Sequence, residues 1–222
     1  MTEQTSPDAT KPSNSIASPP DNVTSRTDPS SSTSSATELT RTKELLRAAL
    51  GHFPDFPLQG INFVDILPLF AVPDLHLSLI RALELEVLGF LNGSRPDVVV
   101  GLDARGFLFG PSLALRLGAG FAPVRKPNKL PGPTVEASYV KEYGTDHFQM
   151  QVNSIKEGQS VLIVDDIIAT VVPYLYMAGG SAKAAGQLVE KLKGNIIGYL
   201  FILEVESIKG RDGLGKPSFV LL

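Results

Sequence analysis

Along this chain the spacing of apolar residues switches between helical and strand patterns, and the switches mark its elements. Residues 38–52 repeat their apolar positions with helical spacing, with Leu39, Leu45, Leu46, Ala49 and Leu50 as the stripe. The run Phe53-Pro-Asp-Phe-Pro57 ends that helix, because proline cannot continue it. Residues 60–66 read as short and extended. Residues 74–92 form a second helix with a leucine-rich face, closed by Gly93 and Pro96. Segments 97–102, 121–124, 160–164 and 196–204 are apolar runs of the kind found in strands buried on both faces, and 219–222 is a shorter one. Helices are expected at 107–117 and 179–193, and two antiparallel strands at 138–142 and 147–152, around Gly144. Residues 125–136 are dense in Pro, Gly and Lys and read as a long, exposed, mobile loop. Strands alternating with helices imply an α/β fold with a mostly parallel core sheet flanked by helices.

Composition changes this picture at the N-terminus. Residues 1–37 are mostly Ser, Thr and Pro, with too little to bury to offset the entropy of ordering, so a disordered tail is expected there. It holds Glu3, Asp8, Asp21 and Asp28 but a single arginine, Arg26, which argues against a mitochondrial presequence. No run is apolar and long enough to span a bilayer, and no secretory apolar stretch follows Met1, so a cytoplasmic protein without membrane association is expected. Residues 38–222 suit one domain. The absence of cysteine excludes disulfides, thiolate metal sites and cysteine nucleophiles. A net charge of −3 argues against a nucleic-acid binder, so any anion site must be built locally.

Five segments carry candidate chemistry. Val161 to Val164 runs into Asp165 and Asp166, and paired acids at a strand end accept hydrogen bonds from a sugar diol or hold Mg²⁺ through water. Alone, Asp-Asp better fits a solvated, capped turn; the strand before it and the Ala-Thr and Gly-Gly-Ser after it favour a ligand site. Gly179, Gly180 and Ser181 open a helix and suit backbone N–H binding of phosphate, although an isolated Gly-Gly-Ser is more simply a serine-capped helix start. Gly101-Leu-Asp-Ala-Arg-Gly-Phe107 again joins strand to helix, so Arg105 fits either a second anion site or a charged turn. Arg125, Lys126 and Lys129 lie on the glycine-bearing loop, suited either to closing over a polyphosphate or to plain solvation. Glu142, close behind that loop, is placed for acid–base work on a ring nitrogen or for an ordinary surface role.

Together these segments resemble adenine phosphoribosyltransferase, of the type I phosphoribosyltransferase family. The similarity runs from about Phe53 to Leu222. It is carried by Phe53-Pro-Asp-Phe-Pro57, Gly101-Leu-Asp-Ala-Arg-Gly-Phe-Leu-Phe-Gly-Pro-Ser112, Lys129-Leu-Pro-Gly-Pro-Thr134, Ala137-Ser-Tyr139 with Glu142-Tyr-Gly144, and Val164-Asp-Asp-Ile-Ile-Ala-Thr170, with Lys-Gly-Arg at 209–211 in support. The aspartate pair alone indicates only the wider class; Arg-Gly-Phe-Leu-Phe-Gly-Pro and Leu-Pro-Gly-Pro favour the adenine enzyme. The resemblance implies conversion of adenine and 5-phosphoribosyl pyrophosphate to AMP and pyrophosphate with Mg²⁺, a homodimer, a five-stranded parallel core and a small hood over the base. It implies that Asp165 and Asp166 hold the ribose hydroxyls and the metal-bound sugar, and that Ala169, Thr170, Gly179, Gly180 and Ser181 cradle the 5-phosphate. Arg105, Lys126 and Lys129 would meet pyrophosphate, with Arg125 acting across the dimer. Phe63 would stack on adenine, backbone near Asn62 and Val64 would read its edge, and Glu142 would assist its proton transfer.

One departure stands out. The family pattern runs Ala-Thr directly into Gly-Gly-Ser or Gly-Gly-Thr, whereas residues 171–178, Val-Val-Pro-Tyr-Leu-Tyr-Met-Ala, intervene here. Removing them restores the pattern without a gap. The insert is expected to perturb 5-phosphate binding and lower affinity for the donor. Two rivals therefore remain beside the enzyme: a phosphoribosyltransferase for another nucleobase, and a non-catalytic or regulatory protein on the same fold.

Overall fold

The computed structural model describes residues 29–57, 59–141, 144–168, 179–204, 211 and 213–222. The elements are α1 (Pro29–Ala48), β1 (Gly51–Pro54), β2 (Asn62–Asp65), α2 (Pro68–Ala71), α3 (Pro73–Phe90), β3 (Val98–Leu102), α4 (Gly106–Leu117), β4 (Gly120–Val124), β5 (Thr134–Lys141), β6 (Gly144–Gln151), β7 (Ser160–Ile168), α5 (Gly180–Lys191), β8 (Asn195–Glu204) and β9 (Ser218–Val220). Five strands form one parallel sheet in the order β4-β3-β7-β8-β9. Two antiparallel hairpins, β1–β2 and β5–β6, stand apart from it.

Side-chain alternation divides the core into two layers. Val98, Val100, Leu102, Val161 and Ile163 face α5 and the β5–β6 hairpin, joining Ala185, Leu188, Phe148 and Met150. Val99, Leu162 and Val164 face the other way, onto Leu46 of α1, Leu79 and Leu83 of α3, and Phe109 and Leu113 of α4. The sheet is thus covered on both faces, as its apolar strands require. Across Asp165 and Asp166 this alternation breaks: Ile167 packs with the α4 layer and Ile168 with the α5 layer, the reverse of strict period two.

Several expectations shift by a few residues. The first helix starts at Pro29, so 29–37 is helical and not part of the expected disordered tail, and it stops at Ala48; proline suits a first helical position, where its missing N–H is no loss. Leu45 is exposed while Leu46 is fully buried, so the stripe is narrower than drawn. Residues 51–54 are not a helix end but β1, paired with β2. The loop after β4 is shorter than 125–136, because Thr134 already begins β5. The core strand does not stop at Val164: β7 runs on to Ile168, and the acid pair lies within it.

Candidate active site

The chain leaves β3 through α4 toward β4 at one edge, and leaves β7 through α5 toward β8 and β9 at the other. Neighbouring strands whose connections diverge leave a crevice at their C-terminal ends, where open α/β sheets bind ligands. The residues after β3 and those late in β7 meet at that point. Arg105 precedes α4, and its Nε donates to Oδ2 of Asp166 at 2.5 Å. Asp166 is only 6% exposed, whereas the Arg105 side chain is 52% exposed. The guanidinium therefore roofs the buried carboxylate and keeps one face toward solvent.

Three glycines bring Arg105 this close. A Cβ on Gly101 would stand 2.8 Å from the Phe121 ring, one on Gly110 2.7 Å from it, and one on Gly106 3.0 Å from the Val164 carbonyl oxygen. Without side chains there, the start of α4 lies flush on β3 and β7. The Asp103–Ala104 peptide in this turn is cis.

Asp165 keeps some exposed surface, and its Oδ1 accepts the Asp166 N–H at 3.0 Å. Burial first, then the negative charge of Asp166, hold its carboxyl well above the usual aspartate range, and Arg105 offsets part of this. Late in β7 burial and the neighbouring acid thus both work against ionisation of Asp165, and the Arg105 guanidinium offsets only part of this.

Gly179 and Gly180 open α5. Gly179 is buried at φ 69°, a left-handed conformation that glycine adopts without penalty. Ser181 lies in the first turn, and no side chain caps this helix start, so it is not the serine-capped alternative. Tyr139 of β5 lies over Gly180, with a Cβ there placed 3.6 Å from its ring. Its hydroxyl donates to Asp146 at 3.2 Å.

Beyond β4, the Arg125 Nε donates to Oδ2 of Asp103 at 3.2 Å, linking this turn to the one that holds Arg105. Lys126 and Lys129 are exposed. On the β1–β2 hairpin, Phe63 is half-buried, with the exposed Phe56 ring edge-on at 5.3 Å, while Asn62 is exposed and Val64 half-buried. Arg211 forms a two-pronged pair with Glu204 at the end of β8, at 2.9 and 2.7 Å. Glu142, Ala169, Thr170, the insert at 171–178, Lys209 and Gly210 lie outside the described residues. Asp103, Tyr139 and Gln149 take part in this architecture although their chemistry was not singled out beforehand. Asp103 and Tyr139 fell within the quoted motifs, whereas Gln149 carried no signal.

A family model for the phosphoribosyl transferase domain matches residues 77–204. Adenine phosphoribosyltransferase of Debaryomyces hansenii is 52% identical over 188 residues, 85% of this chain and 95% of that protein. The chain belongs to the adenine phosphoribosyltransferase family. Adenine phosphoribosyltransferase 1 of Saccharomyces cerevisiae is 50% identical over 177 residues, 80% of this chain and 90% of that protein. A crystal structure of the S. cerevisiae adenine phosphoribosyltransferase, in complex with an imino-altritol bisphosphate and adenine, superposes with a TM-score of 0.76 at 49% identity, covering 82% of this chain and 99% of that one. The parallel five-stranded sheet is thus the type I phosphoribosyltransferase core, and this family member is a pentosyltransferase by fold and by kin. Among the described residues, no helix is long and apolar enough to cross a membrane.

Proposed function

We propose that this chain transfers the phosphoribosyl group of 5-phosphoribosyl pyrophosphate to adenine, giving AMP and pyrophosphate in purine salvage. The observation that carries the reading is the Arg105–Asp166 contact at the strand crossover, in a chain half identical to adenine phosphoribosyltransferases. It joins a cation suited to pyrophosphate to an acid suited to a ribose diol.

The bond from the anomeric carbon to pyrophosphate breaks, the bond to an adenine ring nitrogen forms, and the sugar passes through an oxocarbenium-like state. Arg105, Lys126 and Lys129 neutralise the departing pyrophosphate. Asp165 and Asp166 hold the ribose hydroxyls and place negative charge beside the cationic sugar. The start of α5 at Gly179, Gly180 and Ser181, with Ala169 and Thr170, fixes the 5-phosphate. Phe63 stacks on the base, Asn62 and Val64 read its edge, and Glu142 takes up its proton. Arg125 is turned to Asp103 of its own chain, so action across a dimer requires it to exchange that contact. Positioning and preorganised charge supply the rate, without a covalent intermediate.

The acid pair fits Mg²⁺: carboxylate oxygens are the donors a hard cation takes, and Asp165 keeps some exposed surface. Among the described residues no cluster of three or more acids or histidines could hold a metal, so Asp165 and Asp166 would share the ion with substrate oxygens. When bound, the ion neutralises phosphate charge. We place the enzyme in the cytoplasm as a homodimer; the exposed Phe53 and Phe56, and Leu115 at 82% exposure, supply apolar surface for such a contact.

The test is a base panel. The purified chain, run as a dimer in light scattering and recovered in the cytosolic fraction, is expected to form nucleotide with adenine and not with hypoxanthine, guanine or uracil. Turnover with another base assigns that base instead. AMP binding without turnover on any base supports the non-catalytic alternative, which the insert at 171–178 favours.

A further inference from the structure

The turn at 125–129 holds three cations that repel one another, and both of its lysines are exposed. One residue of the facing hairpin pins it. Gln149 of β6 pairs with Arg125 through both backbone groups: the Arg125 N–H donates to the Gln149 carbonyl at 3.0 Å, and the Gln149 N–H to the Arg125 carbonyl at 2.7 Å. The Gln149 side-chain Oε1 then accepts the Asn128 N–H at 3.1 Å, where Asn128 has the left-handed φ of 62°. The other end of the amide, Nε2, donates to Oε2 of Glu136 at 2.9 Å, which fixes which way the amide points. Arg125 closes the turn by donating from Nη1 to the Lys129 carbonyl at 3.3 Å and ties it to Asp103 at 3.2 Å. A continuous chain of hydrogen bonds therefore runs from Glu136 through Gln149 and Arg125 to the turn that carries Arg105.

We propose that Gln149 is a positioning residue for the pyrophosphate-binding turn, a role that rests on the phosphoribosyl transfer proposed above. An amide suits the place because it must accept from Asn128 and donate to Glu136 at once, which neither a carboxylate nor a methyl group does. Holding the turn before the donor arrives removes part of the ordering entropy that binding would otherwise oppose. Gln149 touches no reacting atom; it acts through Arg125, Lys126 and Lys129.

Three variants of the full chain test this. Gln149→Ala is expected to raise KM for 5-phosphoribosyl pyrophosphate about threefold to tenfold, the worth of an ordinary hydrogen bond, with KM for adenine and the far-UV circular dichroism unchanged. Gln149→Glu keeps the acceptor but sets two carboxylates face to face, and is expected to do no better. Adding Glu136→Gln to it restores both bonds with the roles exchanged, and is expected to bring KM back toward the parent value. Hydrogen exchange at the Asn128 amide is expected to quicken in Gln149→Ala and slow again in the double variant. An unchanged donor KM and unchanged exchange in Gln149→Ala overturn the proposal, as does a double variant no better than Gln149→Glu. If the parent chain makes no AMP, it is the proposed function that has failed. The role of Gln149 is then decided by calorimetry with inorganic pyrophosphate together with the exchange rates: weaker binding and faster exchange in Gln149→Ala support it, and no change refutes it.

Discussion

Asp165 occupies a place its fold does not favour. It is a carboxylate late in a buried strand, with a second carboxylate next to it, and its proton is held well above the usual aspartate range by burial and by Asp166. The folded chain therefore keeps this proton to higher pH than the unfolded chain does. The sign follows: the stability of the folded state at this site is complete below the ordinary value of 3.8 and is lost as pH rises through the raised folded value. A site that sacrifices stability for function is a common pattern in enzymes, and the proposed transfer sets a cationic sugar beside this carboxylate. Asp165→Asn keeps the shape and the acceptor for the Asp166 N–H but cannot ionise. Its ligand-free form is expected to melt at a higher temperature than the parent at neutral pH, with the gap closing as pH falls toward 3.8. AMP formation is expected to drop about a hundredfold, the scale of losing one preorganised electrostatic group. Thermal melts across pH and initial rates check both halves, and a variant less stable than its parent at neutral pH would contradict the argument.

Among elements, the helical layer opposite α5 is tied together by one buried acid. Glu84 of α3 is 7% exposed and accepts from Arg116 of α4 at 2.6 and 3.1 Å and from Arg81 at 3.0 Å. Arg81 in turn grips Glu38 of α1 at 2.9 and 3.1 Å. Burial pushes the Glu84 carboxyl up, but the hydrogen bonds and charges of Arg116 and Arg81 outweigh it, and its pKa falls below the usual glutamate value of 4.5. Its stabilisation is therefore present above 4.5 and lost as pH falls through the lowered value. Glu84→Gln is expected to destabilise the chain at neutral pH by about 1–2 kcal/mol, since both guanidiniums remain partly in solvent. The difference from the parent is expected to shrink in acid; urea unfolding at two pH values measures it, and a constant difference would remove Glu84 ionisation as the cause. No periodicity announces this lock, because Glu84 falls where a helix stripe calls for an apolar residue, and its partner Arg116 and the Glu38 that Arg81 grips sit on two other helices. The five sheet strands were legible for the opposite reason: runs such as Val98-Val-Val100 and Val161-Leu-Ile-Val164 are apolar on both faces and fit only a covered sheet. The β1–β2 hairpin was hidden because Pro54 and Pro57 read as helix terminators, and only pairing with residues 62–65 shows 51–54 to be a strand.

At the scale of the whole molecule the site is assembled from turns that follow successive strands, and what could be read of it in sequence depended on whether a residue's chemistry was local. The juxtaposition of Arg105 with the acid pair could be anticipated because both stand at the C-terminal side of apolar strands, although alone each also fitted an ordinary turn. Gln149 and Asp103 were not legible, because each takes its meaning from a partner on another strand. The insert at 171–178 is the sharpest whole-chain question, since it separates the two ends that share one phosphate in the proposed function. On one side Ile168 is buried at the end of β7, and on the other Gly179 is buried at the start of α5, so the core anchors the chain on both sides of 169–178. Looping out extra residues is cheap in itself, about 0.6 kcal/mol per doubling of loop length. The larger penalty is local: the proposed cradle has Thr170 and Gly179 approach the same anion, and Val171, Val172, Tyr174, Leu175, Tyr176 and Met177 are apolar residues with no side-chain group that binds phosphate well. Deleting 171–178 is therefore expected to lower KM for 5-phosphoribosyl pyrophosphate roughly tenfold, the worth of one recovered charge-assisted hydrogen bond, and to leave KM for adenine unchanged. Equal donor KM values for the deleted and full-length chains would mean that the phosphate cradle closes around the insert, and that the eight residues leave the reaction untouched.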